Sequence, residues 1–279
     1  MHQDVNVIIG MGGMGRAVAR RIGAGADLLL ADYQAAALED VAERMREDGY
    51  SVRTQQVDVS SRASVAAVAA TAKQMGKVTR LVCTAGVAPV HADIESILAV
   101  NLLGAAYVIE EFAGVIAEGG AGVVISSNAG YLFSNSLDDK EALRLATVPA
   151  AELSTYPAVS PERFSDRATA YGVAKHICRL RVQAAAAGLW AERGARINSI
   201  SPGVVSTPMG RAELVGENQA IVKGLIDASP LKRAGTAEEI AGVVAFLLGP
   251  DAGFITGADI VADGGAVAAI KTGRFNPQV

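Results

Sequence analysis

The stretch Val5-Asn6-Val7-Ile8-Ile9-Gly10-Met11-Gly12-Gly13-Met14-Gly15-Arg16-Ala17-Val18 decides the fold. A short, mostly apolar run of strand character, Val5–Ile9, enters a glycine-rich turn. The turn opens a segment of helical period that runs from Gly13 to Ile22. Gly10, Gly12 and Gly15 satisfy the spacing G-x-G-x-x-G, which permits a tight turn and lets the backbone approach a pyrophosphate. The exposed amides at the start of the helix attract the negative charge of such a group. Taken alone, the motif is weak, since a glycine-rich turn can also serve only to relieve crowding.

Outward from this stretch the pattern repeats. It predicts strands at Asp27–Ala31, Ser51–Val57, Leu81–Thr84, Gly122–Ser126, Ala195–Ile200 and Asp259–Val261. Between them it predicts helices at Ala35–Glu47, Ser61–Met75 (Ser61 capping), Ile94 to Ala117, Ala168–Ala191 and Ala237–Leu248. Alternation of this kind implies a parallel sheet with helices on both faces, a three-layer α/β/α arrangement in a single domain over 1–279. Ligands of such sheets bind outside the carboxyl ends of the strands. One segment breaks the rhythm, from about 130 to 169, with a short helical piece at Leu137–Ala146 and three prolines, Pro149, Pro157 and Pro161. Connections this long are often lids or binding loops; a surface or subunit-interface element is the other reading.

Composition narrows the function. Of 279 residues, 51% are apolar, enough for a sizeable core, and the formal net charge is −4 without like-charge blocks, so a basic nucleic-acid footprint is absent. The apolar runs Leu28–Ala31 and Val243–Leu248 are far shorter than a membrane span. Met1-His2-Gln3-Asp4 does not begin a signal peptide, and the cytoplasm is the expected compartment. Cys83 and Cys178 read as buried thiols, and His2, His91 and His176 are too scattered for a metal site. The excess of Arg over Lys and the abundant Ala fit a GC-rich bacterial genome.

Asp32 closes the second strand, 17 residues after Gly15. An acid there accepts hydrogen bonds from both ribose hydroxyls of adenosine and repels a 2′-phosphate. No Arg or Lys adjoins it, so the expected cofactor is NAD. Asp58, with Val59 beside it, is placed to contact the adenine, although a plain turn aspartate explains Asp58 nearly as well. Tyr171 and Lys175 stand four residues apart near the start of a helix and so share one face.

These features together resemble the short-chain dehydrogenase/reductase family, whose fold is the doubly wound Rossmann sheet, over nearly the whole chain. Gly13-Met14-Gly15-Arg16-Ala17 is similar to its phosphate turn, Thr84-Ala85-Gly86 to the end of its Asn-Asn-Ala-Gly element, and Asn101 to its mid-helix asparagine. Ile125-Ser126-Ser127 resembles the strand bearing its catalytic serine, at Ser127. The run from Asn198 to Thr207, including Pro202 and Val204, is similar to the segment that holds the nicotinamide. Ile255-Thr256-Gly257 and Val261–Gly265 resemble its C-terminal signature.

The resemblance implies an NAD-dependent oxidoreductase that interconverts a secondary alcohol and a carbonyl. Tyr171 would be the general acid/base, Ser127 would orient the substrate oxygen, Asn101 would hold a water near Lys175, and Thr207 would bond the carboxamide. A free tyrosine titrates near 10, and the ammonium of Lys175 would favour the phenolate. At about 4 Å and an effective dielectric of about 20 that attraction is roughly 4 kcal/mol before desolvation. Homodimers or homotetramers are the family's usual assemblies.

Three features depart from the pattern. The phosphate turn is one residue short, with Ile9 in place of a threonine; Cys83-Thr84 replaces the Asn-Asn pair; and Ser127 and Tyr171 are 44 residues apart, much further than is usual. The segment between them is expected to arch beside the substrate cleft, and it could block one mode of association. It offers Tyr131, Leu132, Phe133, Leu153, Tyr156 and Phe164 as apolar walls for a bulky alicyclic substrate, or as its own packing. The competing reading is a regulator of the same fold that binds NAD without chemistry. A sugar-nucleotide epimerase is disfavoured because too little chain follows Tyr171 for a separate substrate domain.

Overall fold

The computed structural model describes residues 4–215 and 219–274. Strand β1 (Asp4–Ile9) is buried at five consecutive positions, as a parallel strand covered on both faces must be. Its side chains alternate between two cores: Ile8 faces one, while Val5, Val7 and Ile9 face the other. Asn6, the polar member of the run, donates from Nδ2 to the Ile22 carbonyl at the end of helix α1 (Gly13–Ile22) and so leaves no buried amine unmet there.

Seven parallel strands follow the order β3-β2-β1-β4-β5-β6-β7. They are β2 (Asp27–Asp32), β3 (Ser51–Gln56), β4 (Lys77–Cys83), β5 (Ile116–Ile125), β6 (Arg196–Pro202) and β7 (Asp259–Ala262). The order reverses between β1 and β4, where such sheets open a crevice. The register places Ile9 beside Ala31 and Cys83, so the turns after β1, β2 and β4 emerge side by side. Helices α1, α2 (Ala35–Glu47) and α11 (Ala237–Leu248) cover one face. On the other lie α3 (Arg62–Met75), the continuous helix Ile94–Ala113 and α8 (Arg167–Ala187). Caps fix several of their starts: Ser61 accepts from the Ser64 amide, and Thr236 and Glu239 form a reciprocal capping box.

The helix after β4 differs from its expected form. It begins as α4 (Ile94–Ile97), passes through a π-helical stretch (Leu98–Gly104), and ends as α5 (Ala105–Ala113), four residues short of Ala117. Gly114 stops it, and Val115-Ile116 turns the chain into β5, where Ile116 pairs with Val78. Strand β5 therefore starts well before Gly122 and accommodates the surplus residues in a bulge between its pairings to Val78 and Arg80. By length and composition Ile94–Ala113 is apolar enough to cross a bilayer, which the apolar runs singled out in the sequence are not. Here it packs between α3 and α8 with most of its residues buried, and it carries Glu110 and Glu111. After Pro202 the chain forms α9 (Pro208–Glu213), α10 (Gln219–Ala228) and, past β7, α12 (Ala266–Lys271), which the sequence pattern did not delineate.

The long segment between β5 and α8 is a folded layer. It contains α6 (Ala129–Leu132), α7 (Asp139–Thr147) and a series of 3-10 turns between Ala150 and Arg163. Leu137, Leu145, Leu153, Val159 and Phe164 form a third core with Ile97, Leu98 and Leu102 of the long helix and Val173 and Ile177 of α8. One buried arginine fastens it. Arg181 donates from Nη1 to the carbonyls of Leu145 and Val148, each at 2.8 Å, and from Nη2 to Glu110 Oε1 at 2.8 Å. Glu110 Oε1 also accepts from the Ala150 amide at 2.7 Å.

Candidate active site

A groove of about 730 Å³ crosses the carboxyl ends of β1, β2 and β4. At one end main chain crowds on main chain. Gly10 has φ +96°, and a Cβ there would lie 2.5 Å from the Ala85 nitrogen. Gly15 lies under the turn, and any Cβ on it would run into the Gly10 carbonyl oxygen. A side chain on Gly12 would meet no atom within 4 Å, so Gly12 faces the open groove. Helix α1 starts there with no side-chain cap and no acid in its first turn, leaving its amides available to an anion. Thr84 donates from its hydroxyl to the Gly10 carbonyl at 2.7 Å; this is what replaces the Asn side chain at the turn.

Asp32 sits beside this cradle. Its Oδ2 accepts from the Met11 amide at 2.5 Å and its Oδ1 from the Gln34 amide at 2.9 Å. Asp58 accepts from the Ser60 amide and hydroxyl, a turn-aspartate arrangement, and with Val59 it lines the groove. An acidic end, an amide-rich centre and an open path toward Lys175 fit an extended dinucleotide.

At the opposite end, helix α8 carries Tyr171 and Lys175. Lys175 is buried, donates to the Ile125 carbonyl at 3.0 Å and stands 5.8 Å from the centre of the Tyr171 ring. Among the described residues it makes no salt bridge, so its charge is not paired off away from the phenol. Both serines at the end of β5 have defined work. Ser126 donates to the Lys175 carbonyl at 2.8 Å and ties the strand to α8. Ser127 accepts from the Ala129 amide at 3.2 Å, which leaves its hydroxyl hydrogen free to donate. Tyr171 and Ser127 line a second, apolar cleft of about 170 Å³. Tyr171, Ser126, Met14, Thr207 and Met209 line both spaces, so the phenol stands where groove and cleft meet.

Two profiles of known families match: one described as short chain dehydrogenase over residues 4–136, the other as enoyl-(acyl carrier protein) reductase over residues 139–267. The short-chain dehydrogenase/reductase bsc3 of Alternaria brassicicola is 43% identical over 268 residues, covering 96% of this chain and 97% of that protein. The chain belongs to the short-chain dehydrogenase/reductase family. Levodione reductase of Leifsonia aquatica is 30% identical over 278 residues, 93% of this chain and 92% of its own. A crystal structure of levodione reductase superposes with a TM-score of 0.75 at 27% identity, covering 96% of this chain and 98% of that one.

Within this short-chain dehydrogenase/reductase most of the sequence-derived set gathers at the groove. Gly10, Gly12, Gly13, Met14, Asp32, Asp58, Val59, Ala85, Gly86, Tyr171, Lys175 and Thr207 line it, whereas Pro202 and Val204 line the cleft beside it. Gly15 lines neither and acts from below, through the turn. Asn101 is clamped on Val87: its Oδ1 accepts from the Val87 amide at 3.2 Å and its Nδ2 donates to the Val87 carbonyl at 2.9 Å, which leaves one N–H and one lone pair over. A Cβ on Gly86 would lie 2.7 Å from Asn101 Oδ1 and 3.5 Å from Lys175 Nζ, so Asn101 and Lys175 face one point that only glycine leaves open. The π-helical turn around Asn101 is of the kind frequent at functional sites. Thr207 caps α9 by accepting from the Gly210 amide at 3.1 Å while its methyl lies over Gly13.

The apolar walls differ from expectation. Leu132 and Phe133 do line the cleft. Leu153 and Phe164 are buried in the third core, and Tyr156 packs against it with Arg144 over its ring. Tyr131 turns away to donate to Asp259 at 2.7 Å, between Arg179 and Lys271; burial and that carboxylate push its phenol up to about 12. In their place the cleft uses Met209, Val222 and Leu225 from α9 and α10, helices that the sequence reading passed over. Asn128, also in the wall, was signalled only by its place next to Ser127. Arg16, His91 and Ser96 join the groove lining. Cys83 and Cys178 are free and buried, and burial pushes the Cys83 thiol up to about 12, out of thiolate chemistry.

Proposed function

We propose that this chain is an NAD-dependent oxidoreductase that interconverts a secondary alcohol and a ketone. The observation that carries the reading is the place of Tyr171, at the junction of groove and cleft, with Ser127 on the cleft side and Lys175 on the groove side. The bound nicotinamide supplies or accepts the hydride at the substrate carbon. Tyr171 moves the proton: its hydroxyl bonds the substrate oxygen, protonating it on reduction and accepting its proton on oxidation. Lys175, desolvated and unpaired with any described carboxylate, stabilises negative charge on that phenol. Ser127 donates its free hydroxyl hydrogen to the same substrate oxygen and fixes the direction of attack. Asn101 positions the wall at Gly86 and Val87 against which Lys175 sits, beside the point where a relay water would lie.

Asp32 accepts from the adenosine ribose and repels a 2′-phosphate, which favours NAD over NADP. Gly10, Gly12, Gly13 and Met14 hold the pyrophosphate, Asp58 and Val59 the adenine, and Thr207 the carboxamide. The apolar cleft takes a small alicyclic or otherwise hydrophobic alcohol or ketone. Association as a homodimer or homotetramer uses surfaces other than the faces of α4–α5 and α8 that the segment between β5 and α8 covers.

The test is NADH and NADPH consumption with a panel of alicyclic and aliphatic ketones, beside Tyr171→Phe. Turnover with NADH that vanishes in Tyr171→Phe, with cofactor binding kept, is expected. Tight NADH binding with no turnover of any ketone or alcohol would make the chain a nucleotide-binding regulator instead.

A further inference from the structure

Asn128 follows Ser127, and its side-chain amine makes no hydrogen bond among the described residues. Its main chain is well anchored: the amide donates to the Pro202 carbonyl at 2.9 Å and the carbonyl accepts from the Tyr131 amide at 2.9 Å. Its side chain stands at the N-cap of α6, where asparagine normally caps, yet it makes no capping bond. The residue is 5% exposed, and its Nδ2 is buried with no hydrogen-bond partner among the described residues. Such an orphan donor costs stability unless something else accepts from it.

The position of this amide indicates what accepts. Asn128, Val204 and Leu225 line both the substrate cleft and an adjoining cavity of about 180 Å³. Asn128 therefore stands in the wall between the two spaces, next in sequence to Ser127. Leu132, Phe133 and Met209 make the rest of that cleft apolar, so a lone donor there discriminates strongly.

We infer that Asn128 is a specificity-determining residue that donates from Nδ2 to a second oxygen of the substrate, on the carbon next to the reacting one. The preferred substrates are alicyclic ketones or alcohols with a neighbouring carbonyl, hydroxyl or ether oxygen. This rests on the oxidoreductase reading above. An apolar ketone of equal size would leave the donor unpaired and be turned over more slowly.

The experiment compares 2-methoxycyclohexanone with 2-ethylcyclohexanone, matched in size, as substrates of the full chain with NADH, in the wild type and in Asn128→Leu. In the wild type kcat/KM is expected to favour the methoxy ketone about tenfold or more. In Asn128→Leu that preference collapses to near unity, the larger loss of kcat/KM falling on the methoxy ketone. The ligand-free variant is expected to melt no lower than the wild type, because the orphan amide is gone. A preference unchanged by the substitution, equal loss of both substrates, or a clear drop in melting temperature would each overturn the assignment. If the wild type turns over neither ketone nor any of the wider panel, the oxidoreductase reading falls first. Turnover with an unaltered preference removes only the role of Asn128.

Discussion

The nucleotide end of the groove is built from main chain pressed on main chain, whereas the carbonyl end is assembled from side chains scattered between Asn101 and Leu225. At the first end, Gly15 lies under Gly10 and Gly10 lies against Ala85, so the geometry itself demands glycine. At the second, a serine from β5, a tyrosine and lysine from α8 and apolar walls from α9 and α10 converge only because the sheet order and the helices bring them together. Crowded backbone leaves a trace in the local sequence. Converging side chains do so only where the chemistry restricts the residue type.

Substitutions at the two ends should separate cleanly. On the proposed mechanism, Tyr171→Phe removes the proton carrier and nothing that binds the nucleotide through charge. Its kcat is expected to fall about a thousandfold, with the NADH dissociation constant, read by fluorescence titration, within threefold of wild type. A loss of NADH affinity instead would erase the distinction between the ends.

Next in size is the tether of the intervening layer. Arg181→Met leaves Glu110 and two carbonyls without their buried donor, and it is expected to cost about 3 kcal/mol in urea unfolding. NADH affinity should stay close to wild type, because none of these groups borders the groove. A variant as stable as the parent would show that the third core alone holds the layer.

A pH dependence follows from His176, whose main chain packs on Gly130 in the turn after Ser127. Burial first, and the Arg179 guanidinium second, lower its imidazole to about 4. The folded protein keeps this ring neutral while the unfolded chain protonates it below its ordinary 6.5. Its contribution is therefore complete above pH 6.5 and is lost as pH falls from there toward about 4. The full difference is on the order of 3 kcal/mol. His176→Gln should flatten that part of the stability curve in urea titrations run from pH 7 to pH 4.5; a curve of unchanged slope would rule the histidine out as its source.

The smallest effect expected belongs to the nucleotide end. Asp32→Ser keeps an acceptor for the Met11 amide but removes the charge. The ratio of kcat/KM for NADH to that for NADPH should drop about tenfold to a hundredfold, or about 1.4 to 2.8 kcal/mol. An unchanged ratio would show that another groove residue, such as Arg16 in its lining, sets the preference.

The same contrast explains what could be read in advance. Strands β1 and β2 were legible because buried parallel strands are short continuous apolar runs, and the edge strand β3 was legible by its alternation. Gly10, Gly12, Gly15 and Asp32 were legible because backbone approach and a strand-end acid leave few alternatives. The end of the long helix was misplaced because Val115 and Ile116 continue its apolar composition although they belong to a strand. Tyr131 and Leu153 could not be told from cleft walls, since an aromatic or leucine in a long connection suits a cavity and a core equally well. The roles of Asn101 and Thr207 as a Val87 clamp and a helix cap depend on partners that sequence does not place.

The fastening of the layer beneath Arg181 has a consequence for how this protein can change. Two of its three acceptors are carbonyl oxygens, which every amino acid possesses, so the grip is indifferent to the side chains at Leu145 and Val148. Residues on the outside of that segment are thus free to drift, lengthen or acquire new contacts while its borders at Ala129 and Ala168 stay fixed beside the cleft. Evolution can redress this flank of the molecule without disturbing the groove and cleft.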